Sequence, residues 1–317
     1  VALAHDWLTG LRGGERVLEA LCRAFPAAPI YTLIHNRAAV SETINRHPIR
    51  TTWLQRVPGI HRRYRCFLPL FPGAVARLRP EPADLLISTS HCVAKGVPAP
   101  SGARHLCYCF TPMRYAWLFY EDYFGANPLK KAAVDPLLKR LRAWDLAASE
   151  RVTRFVALSR HVQARIKAFY GRESDLVYPP VNTRYFTPDP SDTEPDAGKY
   201  DLIVSALVPY KRVELAVRAY TRLGYPLKIA GAGTEQARLR RLAGRNVRFL
   251  GRVEDARVRR LYRNCRLLVF PGEEDFGLVP VEAQACGRPV VAFARGGALE
   301  TVAAGKTGVF FPRQTEA

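Results

Sequence analysis

The 317 residues are 48% hydrophobic and 24% charged, enough for two ordinary globular domains and unlike a disordered or fibrous chain. No apolar run reaches the roughly 18–20 residues of a membrane span, and the opening "VALAHDWLTG" lacks the basic and long apolar regions of a signal peptide. A soluble or peripheral protein is expected. Lys+Arg number 48 against 28 Asp+Glu, a net charge of +20 that points to an anionic partner such as phosphates, nucleic acid or a lipid surface. The seven cysteines are scattered, with no CxxC pair and no His spacing suited to zinc, which fits a reducing cytoplasm and no metal site. In "HLCYCF", Cys107 and Cys109 alternate onto one strand face, a packing arrangement.

In chain order, "VALAHD" reads as a strand, followed by a glycine-containing turn and "ERVLEALCRAF", whose Val17, Leu18, Leu21, Cys22 and Phe25 recur at helical spacing. Short apolar runs at "DLLIST", "HLCYCF", "RFVALS" and "DLVYP" read as further strands, with helical patterns at "LLKRLRAWDLAASERV" and "RHVQARIKAF". After "YPPVNTRYFTPDPSDTEPDAGKY", where Pro, Asp, Ser and Thr cluster without period, strands resume as "YDLIVSAL", "PLKIAGAG", "VRFLGR", "RLLVFPG" and "PVVAFA". Helical segments "KRVELAVRAY", "EQARLRRLA", "DARVRRLYRNC" and "PVEAQACG" separate them. The expected organisation is therefore two doubly wound α/β domains, 1–182 and 200–317, joined by a linker at 183–199 and leaving a cleft between them. Ligands of such sheets sit beyond the carboxyl ends of the strands, so the loops that follow strands are the ones to search.

Three such loops open helices. Gly13 and Gly14 in "GLRGGERV" allow backbone amides to approach an oxyanion at a helix start, although a plain tight turn uses the same residues. Lys211 and Arg212 in "VPYKRVEL" also stand between strand and helix, where charge-assisted hydrogen bonds to phosphate each contribute roughly 1.5–3 kcal/mol. "ARGGALE" supplies a second glycine pair, Gly296 and Gly297; two such turns on one domain point to a diphosphate. In "PGEEDFGLVPVEAQACGRPV", Glu274 falls in the loop and Glu282 in the first turn of the following helix, with Glu273 and Asp275 expected in solvent.

"EEDFGLVPVEAQACGRPVV" resembles the Glu-x7-Glu signature of retaining, nucleotide-sugar-dependent glycosyltransferases of family 4. The likeness extends through "GGERVLEAL", "STSHCVAKGV", "TPMRYAW", "ALSRHVQARI", "YPPVNTRYF", "SALVPYKRVELAV", "GAGTE", "FLGRV" and "GGALETV". It implies the GT-B fold, two Rossmann-like doubly wound domains facing across a cleft, and within the family it is most similar to the branch that transfers mannose from GDP-mannose to polyprenyl-diphosphate-linked glycans. By this resemblance Glu274 holds hydroxyls of the transferred sugar, with Phe276 and Gly277 presenting amides to it, and Glu282 accepts from the ribose hydroxyls. Lys211, with Arg212, neutralises the departing diphosphate; Gly13 and Gly14 approach the donor phosphate or the acceptor; Arg252 and Val253 contact the base. The implied chemistry needs no metal and no cofactor beyond the nucleotide-sugar cosubstrate.

This chain departs from the pattern at three places. Phe110 stands where relatives carry a His that contacts the donor sugar, Leu118 where an Asp is common, and Ala206 where many carry an Arg beside the Lys. Two alternative functions follow: a catalytically impaired nucleotide-sugar-binding protein, and the same transferase using a UDP-sugar. Against the family the chain is expected to lack a few N-terminal residues and C-terminal helices that cross back to the first domain. Between Glu42 and Glu81 there is no acid, but eight Arg lie among Trp53, Tyr64, Phe67 and Phe71. With no RNA- or DNA-binding motif beside them, an anionic membrane surface is the expected partner and the inner face of the plasma membrane the expected location.

Overall fold

The computed structural model describes residues 1–118 and 128–315, with 128–133 described by their backbone alone. The chain divides into two compact units, Val1–Pro180 and Val181–Ala317. In the first, strands β1 (Ala2–His5), β2 (Ile30–Thr32), β3 (Ile49–Thr51), β4 (Leu85–Ser90), β5 (Arg104–Cys109), β6 (Arg154–Ala157) and β7 (Ser174–Leu176) form one parallel sheet in the order β3-β2-β1-β4-β5-β6-β7. A parallel sheet must be covered on both faces, which explains why β1 and most of β4 are buried without alternation, the polar His5, Ser88, Thr89 and Ser90 included. The helix Gly13–Ala24 presses Val17, Leu18 and Cys22 onto one face, where Leu18 and Cys22 join Leu3, Ile30 and Ile87. The opposite face is closed by Tyr31, Tyr64, Phe71, Leu138 and Leu141, with Trp7 among them.

Strands β2 and β3 were not among the expected elements. Each is three residues long, too short for its periodicity to distinguish it from a loop. The arginine-rich segment between them and β4 folds as short helical turns, Trp53–Arg56, Ile60–Arg63, Tyr64–Leu70 and Phe71–Val75. Leu54, Ile60, Tyr64, Leu68, Phe71 and Val75 point inward, while Arg56, Arg62, Arg63, Arg65, Arg77 and Arg79 are exposed. Trp53 and Leu70 are also exposed, at 40% and 46%.

The second unit holds β8 (Asp201–Val204), β9 (Leu227–Ala230), β10 (Val247–Gly251), β11 (Leu268–Phe270), β12 (Val290–Phe293) and β13 (Gly308–Phe311), parallel and ordered β10-β9-β8-β11-β12-β13. The edge strand β13 was not anticipated; at four residues it is too short to show a period, and Val309 within it is exposed. The segment expected to be a linker is fastened to this unit. Phe186 lies in its core, Asp189 and Asp192 pair with the buried Arg263 at 3.1 and 2.9 Å, and Lys228 pairs with Asp196 at 2.6 Å. Among the described residues, no helix is long and apolar enough to cross a membrane.

Candidate functional site

The strand order of the second unit reverses between β8 and β11, and in an open parallel sheet that reversal opens a crevice at the carboxyl ends of the two strands. The loop after β8 carries Lys211, the loop after β11 carries Glu274, and the two side chains form an ion pair there. Both are sheltered, with 16% and 17% of their side-chain surface exposed. Lys211 Nζ also lies 5.2 Å from the centre of the Tyr210 ring. An ion pair withdrawn this far from water is sensitive to the loss of either partner.

The backbone around this pair is tightly constrained. Lys211 ends a short turn, Pro209–Lys211, and Arg212 begins the helix Val213–Leu223 in the left-handed region, φ 51° and ψ 31°. Among the described residues Arg212 is the one non-glycine with positive φ, a conformation that costs roughly 1–2 kcal/mol and marks a place where something other than local stability fixes the residue. Its guanidinium is half exposed, 4.0 Å from Glu214. Gly272 lets the β11 loop touch the β8 loop, since a Cβ there would meet the Lys211 carbonyl oxygen at 2.9 Å.

The glycines of "ARGGALE", expected as a second phosphate turn, pack closely against the Glu274 loop. A Cβ on Gly296 would lie 2.4 Å from the Glu274 carbonyl oxygen, and one on Gly297 2.3 Å from Phe276 Cα. The Gly297 amide donates to that same Glu274 carbonyl at 2.8 Å. These glycines press against the back of the Glu274–Phe276 stretch and hold Glu274 in place. Gly277, at φ 93°, turns the chain into the helix Leu278–Ala285, as only glycine does without strain.

Glu282 is the fifth residue of that helix, in its second turn where the first was expected. One of its oxygens, Oε2, accepts a hydrogen bond from the buried Tyr262 hydroxyl at 3.0 Å. Asp275, expected in solvent, is 8% exposed and belongs to the interior of the loop, whereas Glu273 is partly buried. Arg252 and Val253 follow β10; Arg252 is exposed and Val253 packs against the core that contains Tyr262.

The first unit has its own reversal, between β1 and β4. Asp6, just past β1 and fully buried, accepts backbone hydrogen bonds from His91, Cys92, Val93 and Ala94 at 2.6, 3.0, 2.6 and 2.7 Å, and pairs with His91 Nδ1 at 2.9 Å. Burial opposes its ionisation, but the charge and hydrogen bonds of His91 outweigh burial and hold its pKa well below the usual carboxylate range. His5, bonded to Thr89 at 2.7 Å, is pushed down to about 4 by burial. Phe110 lies between these groups, its ring centre 6.3 Å from each of the His5 and His91 rings. A Cβ on Gly14 would meet Phe110 Cε2 at 3.2 Å, so close packing against Phe110 also accounts for this glycine. The adjoining helix start is engaged by its own acid: Glu15 Oε2 accepts from the Arg12 amide at 3.0 Å.

HepE of Anabaena, solved with UDP and glucose, superposes with a TM-score of 0.68 at 18% identity, covering 99% of this chain and 86% of that one. Sucrose-phosphate synthase from Thermosynechococcus elongatus gives 0.70 at 18% identity over 100% of this chain and 87% of that one. The fold is GT-B. Within this GT-B chain, residues 189–317 match the family described as Glycosyl transferases group 1. A GDP-mannose-dependent monoacylated alpha-(1-6)-phosphatidylinositol monomannoside mannosyltransferase of Corynebacterium glutamicum is 33% identical over 46% of this chain and 45% of that one. A D-inositol 3-phosphate glycosyltransferase of Catenulispora acidiphila is 34% identical over 58% and 39%. The matches span less than half the length of these curated relatives.

Sequence reasoning passed over Asp6, Lys95, Asp145 and Tyr262. Lys95 and Asp145 form a fully buried ion pair, with Asp145 also accepting from Tyr170 and Trp117 at 2.7 and 2.8 Å. An acid directly after the first strand is a recognisable signal for Asp6. No local pattern identifies the other three.

Proposed function

We propose that this protein is a retaining glycosyltransferase that moves a hexosyl group, mannose from GDP-mannose, to a glycan or polyprenyl-diphosphate-linked acceptor. The observation that carries the reading is the sheltered Lys211–Glu274 pair at the strand reversal of the second unit. A donor brings a dianionic diphosphate and a polyol together, and the pair matches it group for group. The ammonium of Lys211 turns to the diphosphate with Arg212 beside it, and the Glu274 carboxylate, released, accepts from sugar hydroxyls. Phe276 and Gly277 offer amides to the sugar, Glu282 takes the ribose hydroxyls, Arg252 and Val253 meet the base, and Gly13 and Gly14 serve the donor phosphate or acceptor.

In the reaction the bond from the anomeric carbon to the phosphate oxygen breaks as the acceptor oxygen bonds to that carbon on the same face. The acceptor's proton passes to the departing phosphate oxygen. Catalysis then consists of positioning and of stabilising the charge that grows on the leaving diphosphate. This gives the carboxylates a binding role, unlike the acid and base pair of a glycosidase. The mannosyl choice is supported by the names of the Corynebacterium relative and of an alpha-1,3/1,6-mannosyltransferase of Neurospora crassa, 41% identical over 35% of this chain and 24% of that one.

The test is calorimetric titration of the protein with GDP-mannose, UDP-glucose and UDP-N-acetylglucosamine, followed by a transfer assay. Tighter binding of GDP-mannose, lost in Lys211→Ala, is expected; preference for a UDP-sugar overturns the donor choice. Phe110 favours a second reading, a nucleotide-sugar-binding protein without transfer activity, because a phenyl ring packed on Gly14 cannot donate a hydrogen bond. Activity in Phe110→His and none in the parent would support it, and equal activity would refute it.

The exposed arginines around Trp53 and Leu70 support an anionic bilayer, the inner face of the plasma membrane, as docking partner. At about 1 kcal/mol per basic residue near such a surface, three or four engaged arginines give reversible attachment. Flotation with phosphatidylglycerol vesicles should fall sharply when Arg62, Arg63 and Arg65 are all changed to Glu; equal flotation removes the idea.

A further inference from the structure

Tyr262 sits on the helix Asp255–Asn264, is 0% exposed, and packs its ring edge-on against Phe186 with centroids 5.9 Å apart. Phe would satisfy every apolar contact of that position. The hydroxyl adds one thing, a hydrogen bond of 3.0 Å to Glu282 Oε2 on the neighbouring helix Leu278–Ala285. A buried hydroxyl is costly unless bonded, so its presence here is tied to the carboxylate it serves. Burial, and then the charge of Glu282, push the Tyr262 hydroxyl well above the ordinary phenol range, and it stays a donor throughout the pH range of a working protein. The interaction therefore runs in one direction, from a buried ring in the core to the partly buried Glu282 carboxylate.

We infer that Tyr262 is a positioning residue that fixes the Glu282 carboxylate for a ribose diol, and so sets the preference for ribonucleoside over deoxyribonucleoside diphosphates. The inference rests on the reading of Glu282 as the ribose-binding carboxylate. A Glu side chain has three rotatable torsions, and two vicinal hydroxyls are bridged only by a carboxylate held at one angle and depth. Anchoring Oε2 from behind restricts that angle without contact between Tyr262 and the ligand. Losing the anchor should weaken only binding that depends on the diol, because Lys211 and Arg212 hold the diphosphate from a different loop.

The experiment is calorimetric titration of wild type, Tyr262→Phe and Glu282→Gln with GDP and 2′,3′-dideoxy-GDP, repeated with UDP and its dideoxy analogue. Wild type should favour the preferred ribonucleotide by at least about tenfold, the scale of a buried polar group left unpaired. Tyr262→Phe should bind that ribonucleotide roughly three- to tenfold more weakly, the scale of one hydrogen bond, and the dideoxy compound unchanged. Glu282→Gln should abolish most of the preference. If Glu282→Gln loses the preference while Tyr262→Phe keeps it, or weakens both nucleotides equally, the positioning role is overturned and the ribose reading survives. If Glu282→Gln keeps the full preference, the ribose reading fails and the inference with it. Tyr262→Met, which fills similar volume without a hydroxyl, repeats the comparison should the Phe variant fold poorly.

Discussion

Replacing Arg212 by Gly should make the protein more stable and bind its donor less tightly. Arg212 is held at φ 51° at the start of the helix Val213–Leu223, and relieving a left-handed residue of its Cβ returns roughly 1–2 kcal/mol. Against this, glycine adds about 0.4–1 kcal/mol of unfolded-state entropy. The contact to Glu214, 4.0 Å long with the guanidinium 48% exposed, contributes little in water. The balance is a gain of roughly 0.5 kcal/mol, a rise of a degree or two in Tm for a chain of this size. If the guanidinium binds the diphosphate as proposed, that charge-assisted hydrogen bond is worth about 1.5–3 kcal/mol, and affinity for GDP should fall by about tenfold or more. Differential scanning calorimetry and titration with GDP measure the two quantities on one preparation. A variant that melts lower than wild type and binds GDP equally well would refute the reasoning, since strain would then be absent and the guanidinium idle.

Gly297→Ala brings a Cβ 2.3 Å from Phe276 Cα at an ordinary φ of −64°; a purely steric loss of about 1–3 kcal/mol or more should appear in urea unfolding, together with weaker GDP binding as the Glu274 loop is displaced. Lys95→Met takes from Asp145 its ion-pair partner in a site where neither side chain exceeds 2% exposure and should cost roughly 3–5 kcal/mol, with Asp145→Asn added to it restoring part of the loss. His5 and His105, each lowered to about 4 by burial, bind more protons unfolded than folded between pH 6.5 and 4. Stability should thus fall as pH drops through that window, by at most about 1.4 kcal/mol per unit for each histidine. Glu15, raised by burial, works in the opposite direction. Melting curves of His5→Gln/His105→Gln at pH 5 and 7 should show a smaller difference than wild type; an unchanged difference would discount the histidines.

The two α/β units were legible because most of their strands contain short apolar runs bounded by turn residues and their helices carry an apolar stripe, as in Val17, Leu18 and Cys22. The short strands β2, β3 and β13 were not, since a run of three or four residues is too short to carry a period. Glu274, Lys211 and Glu282 could be singled out by their loops and their resemblance, but the reason for Gly296 and Gly297 could not. It lies in the backbone of Glu274–Phe276, some twenty residues earlier in the chain, against which both glycines pack.

Local composition thus determined what kind of elements form, where the charges cluster and which loops hold chemistry-bearing residues, because those properties depend on neighbours within a few positions. Tertiary structure alone decided which distant groups neutralise one another. It brought Lys211 to Glu274, Lys95 to Asp145, Asp6 to four amides of the β4 loop and the Tyr262 hydroxyl to Glu282. A buried charge or hydroxyl is stable only with its partner, and that partner is chosen by strand order and helix packing rather than by separation along the chain.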